Sequence, residues 1–243
     1  MPYLRGFIFY VVLIISVIFL ALLVLLSTPV TTYTWRYDAL CRPWARFILG
    51  TLRVVCGVKF RVRGIENMPQ HGEPMVVLAK HQSAWDPFWL GAYLAQPACF
   101  LYKKSLHWIP FVGWVIWSMH MLAIDRSNGR SSFRNFMEKG PRFLRRGWWI
   151  CLFPEGTRVA PGKHVRLKTG GARFACANGV PVLPIAHNAG YCWPKNSLAK
   201  YPGTITVVIG KPIQTKRREP GEVTKQVDDW FVRCDQKLGS ARE

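Results

Sequence analysis

The chain has 243 residues, enough for one domain and an anchor, and carries a formal net charge of +20 from 33 Lys and Arg against 13 Asp and Glu. That balance implies polyanionic partners: lipid headgroups, phosphorylated substrates or nucleic acid. Seven cysteines without a Cys-x-x-Cys pair read as free thiols in a reducing compartment, and no Gly-rich phosphate loop, His-Glu-x-x-His or Gly-x-Ser-x-Gly run occurs, so the usual nucleotide, zinc-protease and serine-hydrolase signatures are excluded.

Residues 7–27 form an apolar run of 21 residues without a charge or a helix breaker. As a helix the run would be about 31 Å long, enough to span a hydrocarbon core. It exceeds the apolar length of a cleaved signal and no Ala-x-Ala site follows, so a retained anchor is the preferred reading; a placement within one leaflet stays open. Arg36, Arg42 and Arg46 outnumber Arg5 across the run, which puts the rest of the chain on the cytoplasmic side. Tyr33, Trp35 and Tyr37 suit a lipid–water interface, and residues 39–55 mix apolar and basic positions as a juxtamembrane amphipathic helix does. The expected organisation is an anchor at 1–30, a juxtamembrane segment at 31–60 and a catalytic domain at 61–243.

Residues 75–79 are apolar and partly β-branched, a buried strand that delivers His81 at its carboxyl end. Asp86-Pro87 reads as a helix cap followed by Pro at the first helical position. His81 and Asp86 therefore share a short strand-to-helix loop. A histidine with a carboxylate beside it is the minimum kit for taking a proton from a hydroxyl: the imidazole is the base, and the carboxylate fixes its tautomer. On spacing alone, an ordinary loop histidine and a plain helix cap fit equally well. Residues 98–102 form a further strand candidate. Residues 106–124 carry no formal charge if their histidines are neutral, yet Pro110 and Gly113 argue against a second span. Trp108, Phe111, Trp114 and Trp117 could line an apolar groove, with ordinary core packing favoured over it. Residues 131–146 are a helix candidate that Gly140-Pro141 breaks or kinks. Residues 148–153 make another buried strand and run into Pro154-Glu155-Gly156-Thr157-Arg158, where Gly lets backbone approach closely and Arg offers a planar fork to phosphate. Strands at 182–186 and 204–209 and a helix at 222–238 complete the pattern. Strands alternating with helices imply an α/β domain: a mixed sheet flanked by helices, preceded by an N-terminal membrane-anchoring helix.

Four ordered blocks give the chain its resemblance: His81 to Asp86; Lys103-Lys104-Ser105-Leu106-His107-Trp108-Ile109-Pro110 on to Ile124-Asp125-Arg126; Phe153-Pro154-Glu155-Gly156-Thr157-Arg158 followed by Lys168-Thr169-Gly170-Gly171; and Val180-Pro181-Val182-Leu183-Pro184-Ile185. In these the chain resembles the glycerolipid acyltransferases, and among them the 1-acyl-sn-glycerol-3-phosphate acyltransferases. Lys80 stands where that family usually has Asn, Val159 where Ser often follows the Arg, and His120 lies in a stretch where Gly is frequent. The resemblance implies acyl transfer from acyl-CoA or acyl carrier protein to the sn-2 hydroxyl of lysophosphatidic acid, with His81 as base and Asp86 orienting it. It implies acceptor binding by Glu155, Gly156, Thr157 and Arg158, and makes Lys103 and Arg126 candidate phosphate contacts. It calls for no metal, no cofactor beyond the thioester co-substrate and no nucleic acid, and it places the enzyme on the cytoplasmic face of a bacterial inner membrane. A sister enzyme for another lyso-lipid would carry the same blocks. A non-enzymatic basic lipid-binding protein would account for the charge but not for the ordered blocks.

Overall fold

Strands that are apolar on both faces need cover on both, and the chain supplies it by interleaving helices with strands. The structure, a computed structural model, describes residues 1–69, 72–125, 129–239 and 241. Among these, the helices are α1 (Pro2–Ser27), α2 (Tyr33–Arg36), α3 (Arg42–Cys56), α4 (Trp85–Tyr93), α5 (Val112–Ser118), α6 (Gly129–Lys139), α7 (Pro141–Leu144), α8 (Gly170–Asn178) and α9 (Pro220–Leu238). The strands are β1 (Val58–Arg63), β2 (Val76–Ala79), β3 (Ala98–Lys103), β4 (Leu122–Ile124), β5 (Trp149–Leu152), β6 (Val182–His187) and β7 (Gly203–Ile209). They form one sheet in the order β1-β7-β6-β2-β5-β3-β4. The β6·β7 pair is antiparallel and every other neighbour is parallel, so the sheet is mixed, as the alternating pattern implies. All of β2 and β6 is buried, which is why both read as unbroken apolar runs. The chain lays β3, β4 and β5 on one side of β2 and β6 and β7 on the other. The carboxyl end of β2 thus opens on the crevice that such a reversal leaves, the usual ligand position in open α/β sheets.

Several expectations hold and others need correction. Gly140 does separate α6 from α7, and a Cβ there would meet the Phe174 ring at 2.5 Å. Strands β1 and β4 escape the sequence pattern, β4 because it has only three residues and β1 because it alternates apolar with basic positions. His120, in the stretch where the resembled family often has Gly, adopts φ 53°, the left-handed region that Gly enters without strain. The favoured core packing of the aromatic run is not what the structure shows: Trp108 is 84% and Trp117 63% exposed. They sit on the 3₁₀ turn Lys104–Trp108 and on α5, on the side that α1 leaves uncovered.

Helix α1 is long and apolar enough to cross a membrane, yet it lies along the domain, packed on α3 and α5. Phe9 is fully buried with its ring edge-on to Trp193 at 5.1 Å, and Trp44 Nε1 donates to Ser16 Oγ at 3.1 Å. At Gly6 the helix touches the backbone of the loop below: a Cβ there would lie 1.9 Å from the Leu198 carbonyl oxygen. The arginines that sequence counts as topological signals also hold helix ends. Arg36 donates to the Thr28, Thr31 and Ser118 carbonyls, and Arg42 and Arg46 to the Leu94 and Ala92 carbonyls at the end of α4. Substituting Gly6→Val is expected to cost about 1–3 kcal/mol of stability through overpacking. It should show as a lower melting temperature in detergent; an unchanged melt would mean that the first turns of α1 do not dock.

Candidate active site

The loop after β2 leaves the sheet only once its hydrogen bonds are exhausted. Lys80 N–H still donates to the Ile185 carbonyl at 2.9 Å, extending the β2·β6 ladder by one residue. At His81 the chain passes to the Pro154–Arg158 turn, which takes both sides of the His81 peptide: Glu155 Oε1 accepts from its N–H at 3.2 Å, and Val159 N–H donates to its carbonyl at 2.7 Å. The imidazole stacks on Phe153 with centroids 4.0 Å apart and planes 15° from parallel. Position and plane of the ring are therefore set by residues some 70 positions downstream.

Asp86 does not cap α4 as the Asp-Pro pair suggests. The cap position is Ala84, Ser83 Oγ accepts from Trp85 N–H at 3.1 Å, and Asp86 is the second residue of the helix. From there its carboxylate folds back over the loop. Oδ2 accepts from Gln82 N–H at 2.8 Å and Ser83 N–H at 3.0 Å, and lies 2.9 Å from His81 Nδ1. An ionised carboxylate can only accept, so the network assigns the proton to Nδ1 and leaves the Nε2 lone pair free. Among the described residues Nε2 has no hydrogen-bond partner. The side chain is 20% exposed while that of Asp86 is at 0%, so the ring edge opposite the carboxylate is the accessible one. Such a pair can take a proton at Nε2 and stabilise the resulting imidazolium from behind.

Two further residues complete the wall behind the pair. His187, at the end of β6, is buried, places Nε2 3.0 Å from the Lys80 carbonyl and 3.4 Å from Asp86 Oδ1, and accepts from Ala189 N–H at 3.3 Å. Burial pushes its pKa down. Nothing in the sequence singled it out; the signal that could have done so is a histidine ending the fully apolar run of the fourth block. Lys80 turns away from His81: its ammonium pairs with Asp235 on α9 and lies over the Phe231 ring at 5.6 Å.

The acceptor-binding expectations divide. Glu155 is buried behind the loop rather than facing the open side, its Oε2 has no partner among the described residues, and burial raises its carboxyl above the ordinary 4.5. Gly156 has φ 71°, and a Cβ on it would come within 2.6 Å of Lys168 Nζ, so the turn needs Gly on both counts. Thr157 and Arg158 sit on the outer side of the turn. Arg158 Nη2 donates to Asn196 Oδ1 at 3.3 Å, and Lys195 Nζ to Thr157 Oγ1 and the Arg158 carbonyl at 3.3 and 3.0 Å. Lys195 and Asn196 were not picked out from sequence. Lys103 is exposed at the carboxyl end of β3, on the same sheet edge as His81, and Arg126 lies outside the described residues. Among the described residues no group of three or more His, Cys, Asp or Glu is arranged to hold a metal ion.

The raised Glu155 carboxyl has a consequence for stability. Its ionisation penalises the folded state and not the unfolded one, so its contribution is fully present below pH 4.5 and is lost as pH rises through the folded value. Glu155→Gln is therefore expected to melt above the wild type at pH 7, with the gap closing as pH falls toward 4.5. Equal melting at both pH values would show that the carboxyl is not desolvated.

Comparison with known proteins agrees with this geometry. A family model described as Acyltransferase matches residues 59–188. A 1-acyl-sn-glycerol-3-phosphate acyltransferase of Pseudomonas aeruginosa is 38% identical over 229 residues, covering 93% of this chain and 88% of its own. The chloroplastic 1-acyl-sn-glycerol-3-phosphate acyltransferase of Arabidopsis thaliana is 29% identical, and the match covers 61% of its length. The crystal structure of the 1-acyl-sn-glycerophosphate acyltransferase of Thermotoga maritima superposes with a TM-score of 0.82 at 25% identity, over 97% of this chain and 95% of that one. A matched core that holds every block, with a close relative aligned along nearly the whole length, places this chain in the Acyltransferase family.

Proposed function

We propose that this O-acyltransferase moves an acyl chain from a phosphopantetheine thioester, carried by coenzyme A or by acyl carrier protein, to the sn-2 hydroxyl of lysophosphatidic acid. The observation that carries the reading is the His81–Asp86 pair at 2.9 Å, with Nε2 unpartnered among the described residues and the imidazole partly exposed. Nε2 takes the proton of the hydroxyl as its oxygen attacks the thioester carbonyl. The tetrahedral intermediate then collapses, breaking the carbon–sulfur bond, and the imidazolium returns the proton to the departing thiolate. Asp86 keeps the ring in the Nδ1–H tautomer and stabilises the charge that forms on it. Direct attack needs no acyl-enzyme, which accords with a site that has no nucleophile elbow. Arg158 on the outer side of the turn supplies a planar fork for the acceptor phosphate, with Lys103 and Arg126 as further bases.

The same reading orients the enzyme on its lipid. Because α1 is docked along the domain, placing it across a bilayer would drag α3 and α5 in with it. We read it as lying in one leaflet with its outer face, which includes Phe7, Ile15 and Phe19, toward lipid. The exposed Trp108 and Trp117 follow directly from the β3 end of the reaction edge, and α5 packs on α1, so the apolar surface adjoins the site. Thioester donors are water-soluble and cytoplasmic, which favours the cytoplasmic face of the bacterial inner membrane.

Purified protein in detergent with labelled oleoyl-CoA and a panel of lyso-lipids tests the chemistry. Turnover is expected with lysophosphatidic acid and should vanish in His81→Ala. Residual activity within about tenfold of wild type, a barrier change of only ~1.4 kcal/mol, would remove His81 from the role of base, and preference for another lyso-lipid would move the acceptor. For the orientation, Trp108→Ser with Trp117→Ser should weaken sedimentation with phosphatidylglycerol vesicles at least threefold while leaving turnover of detergent-dispersed substrate unchanged. Undiminished sedimentation would detach the aromatic segment from the membrane surface.

A further inference from the structure

We propose that His187 is a positioning residue for the reaction: as a neutral Nε2–H imidazole it holds Asp86 from the side opposite His81 and keeps the carboxylate aimed at Nδ1. The inference rests on the reading of His81 and Asp86 as the proton-transfer pair. Three observations carry it. First, the tautomer is determined. Ala189 N–H can only donate, and it reaches His187 Nδ1 at 3.3 Å, so that nitrogen carries no proton and Nε2 must. Second, Nε2–H faces two acceptors, the Lys80 carbonyl at 3.0 Å and Asp86 Oδ1 at 3.4 Å. It thereby ties the residue before His81 to the carboxylate behind it. Third, Asp86 Oδ1 is buried and makes no hydrogen bond among the described residues, so the His187 N–H 3.4 Å away acts on it as a nearby dipole, whereas Oδ2 already collects His81 Nδ1 and two loop amides.

A carboxylate held on one oxygen alone can still pivot about its Cβ–Cγ bond and rock Oδ2 away from the imidazole. The N–H dipole of His187, 3.4 Å from the second oxygen, opposes that rotation electrostatically. The His187 ring is itself fixed, edge-on to Trp85 with centroids 5.7 Å apart, and is 3% exposed. Burial pushes its pKa down, against the opposing pull of Asp86. His187 never meets substrate; it acts through Asp86 and through the Lys80 peptide.

Two variants that differ by one methylene separate positioning from packing. Glutamine can set its amide nitrogen where Nε2 stands, whereas asparagine reaches only the place of Nδ1 and leaves the Lys80 carbonyl without its donor and Oδ1 without the N–H beside it. With oleoyl-CoA and lysophosphatidic acid, His187→Asn is expected to lower kcat about 10- to 100-fold with KM for either substrate within about threefold of wild type. His187→Gln should restore kcat to within about threefold. Melting temperatures in detergent, measured for both, show whether the loss follows stability instead. Equal turnover of the two variants, or losses that track their melting temperatures, would reduce His187 to a packing residue. His81→Ala in the same assay keeps the failures apart: an active His81→Ala overturns the underlying reading, while an inactive His81→Ala with a normal His187→Asn overturns the positioning role alone.

Discussion

The site depends on the grip that one turn exerts on one peptide. His81 follows a strand whose ladder ends at Lys80, and a loop in that position would ordinarily be free to sample many backbone states at roughly 1–2 kcal/mol of conformational entropy per residue. Glu155 on its N–H and Val159 on its carbonyl remove that freedom from both sides. The Phe153 ring then leaves the imidazole a single plane to occupy. This explains why the first and third blocks act as one unit although they lie far apart in the chain. It also explains why Glu155 is buried: it serves as an acceptor for a backbone amide, and the position behind the loop is where that amide points.

Asp86 answers a second constraint. A carboxylate taken wholly out of water costs several kcal/mol unless donors replace its hydration. Oδ2 gathers His81 Nδ1 and the amides of Gln82 and Ser83, charge-assisted bonds of about 1.5–3 kcal/mol each. The amides are available because the loop has turned sharply enough to aim them inward, so the carboxylate shapes the loop and the loop makes the carboxylate tolerable. The same burial gives the pair its direction. The Asp86 side of the ring is closed and the imidazole keeps 20% of its surface exposed, so on the proposed reading a hydroxyl approaches at Nε2.

What the sequence made legible follows from which forces are local. The buried strands at 75–79, 148–153 and 182–186 are legible because a parallel strand covered on both faces must be apolar throughout. The His81–Asp86 pairing is legible because a strand-to-helix turn brings nearby positions together. Its geometry was not: reading Asp86 as a helix cap follows local chemistry, and the displacement by two residues arises because Ser83 takes over the start of α4 while Asp86 serves His81. Lys195, Asn196, the contacts of His187 and the buried position of Glu155 were out of reach for a single reason. Each contributes through contacts made across the sheet edge, and such contacts leave no period or spacing in the chain. The aromatic segment at 108–117 failed differently. Apolar composition signals removal from water, and a protein interior and a lipid surface both provide it.

That ambiguity bears on α1. A 26-residue helix that is apolar beyond Arg5 is long enough for a span, yet its contacts with α3 and α5 treat it as a layer of the domain. The two descriptions agree if the domain meets lipid along this face. Each exposed Leu, Ile or Phe there would cost about 1.5–3 kcal/mol in water relative to burial, a penalty that a leaflet removes without the helix leaving its place. An acceptor with a long acyl chain gains by the same arrangement. Its chain can stay in the leaflet while its hydroxyl reaches Nε2, and only the polar end has to enter protein. On the proposed reading, docking of the helix and access of the substrate are consequences of one apolar surface that ends at the reaction edge of the sheet.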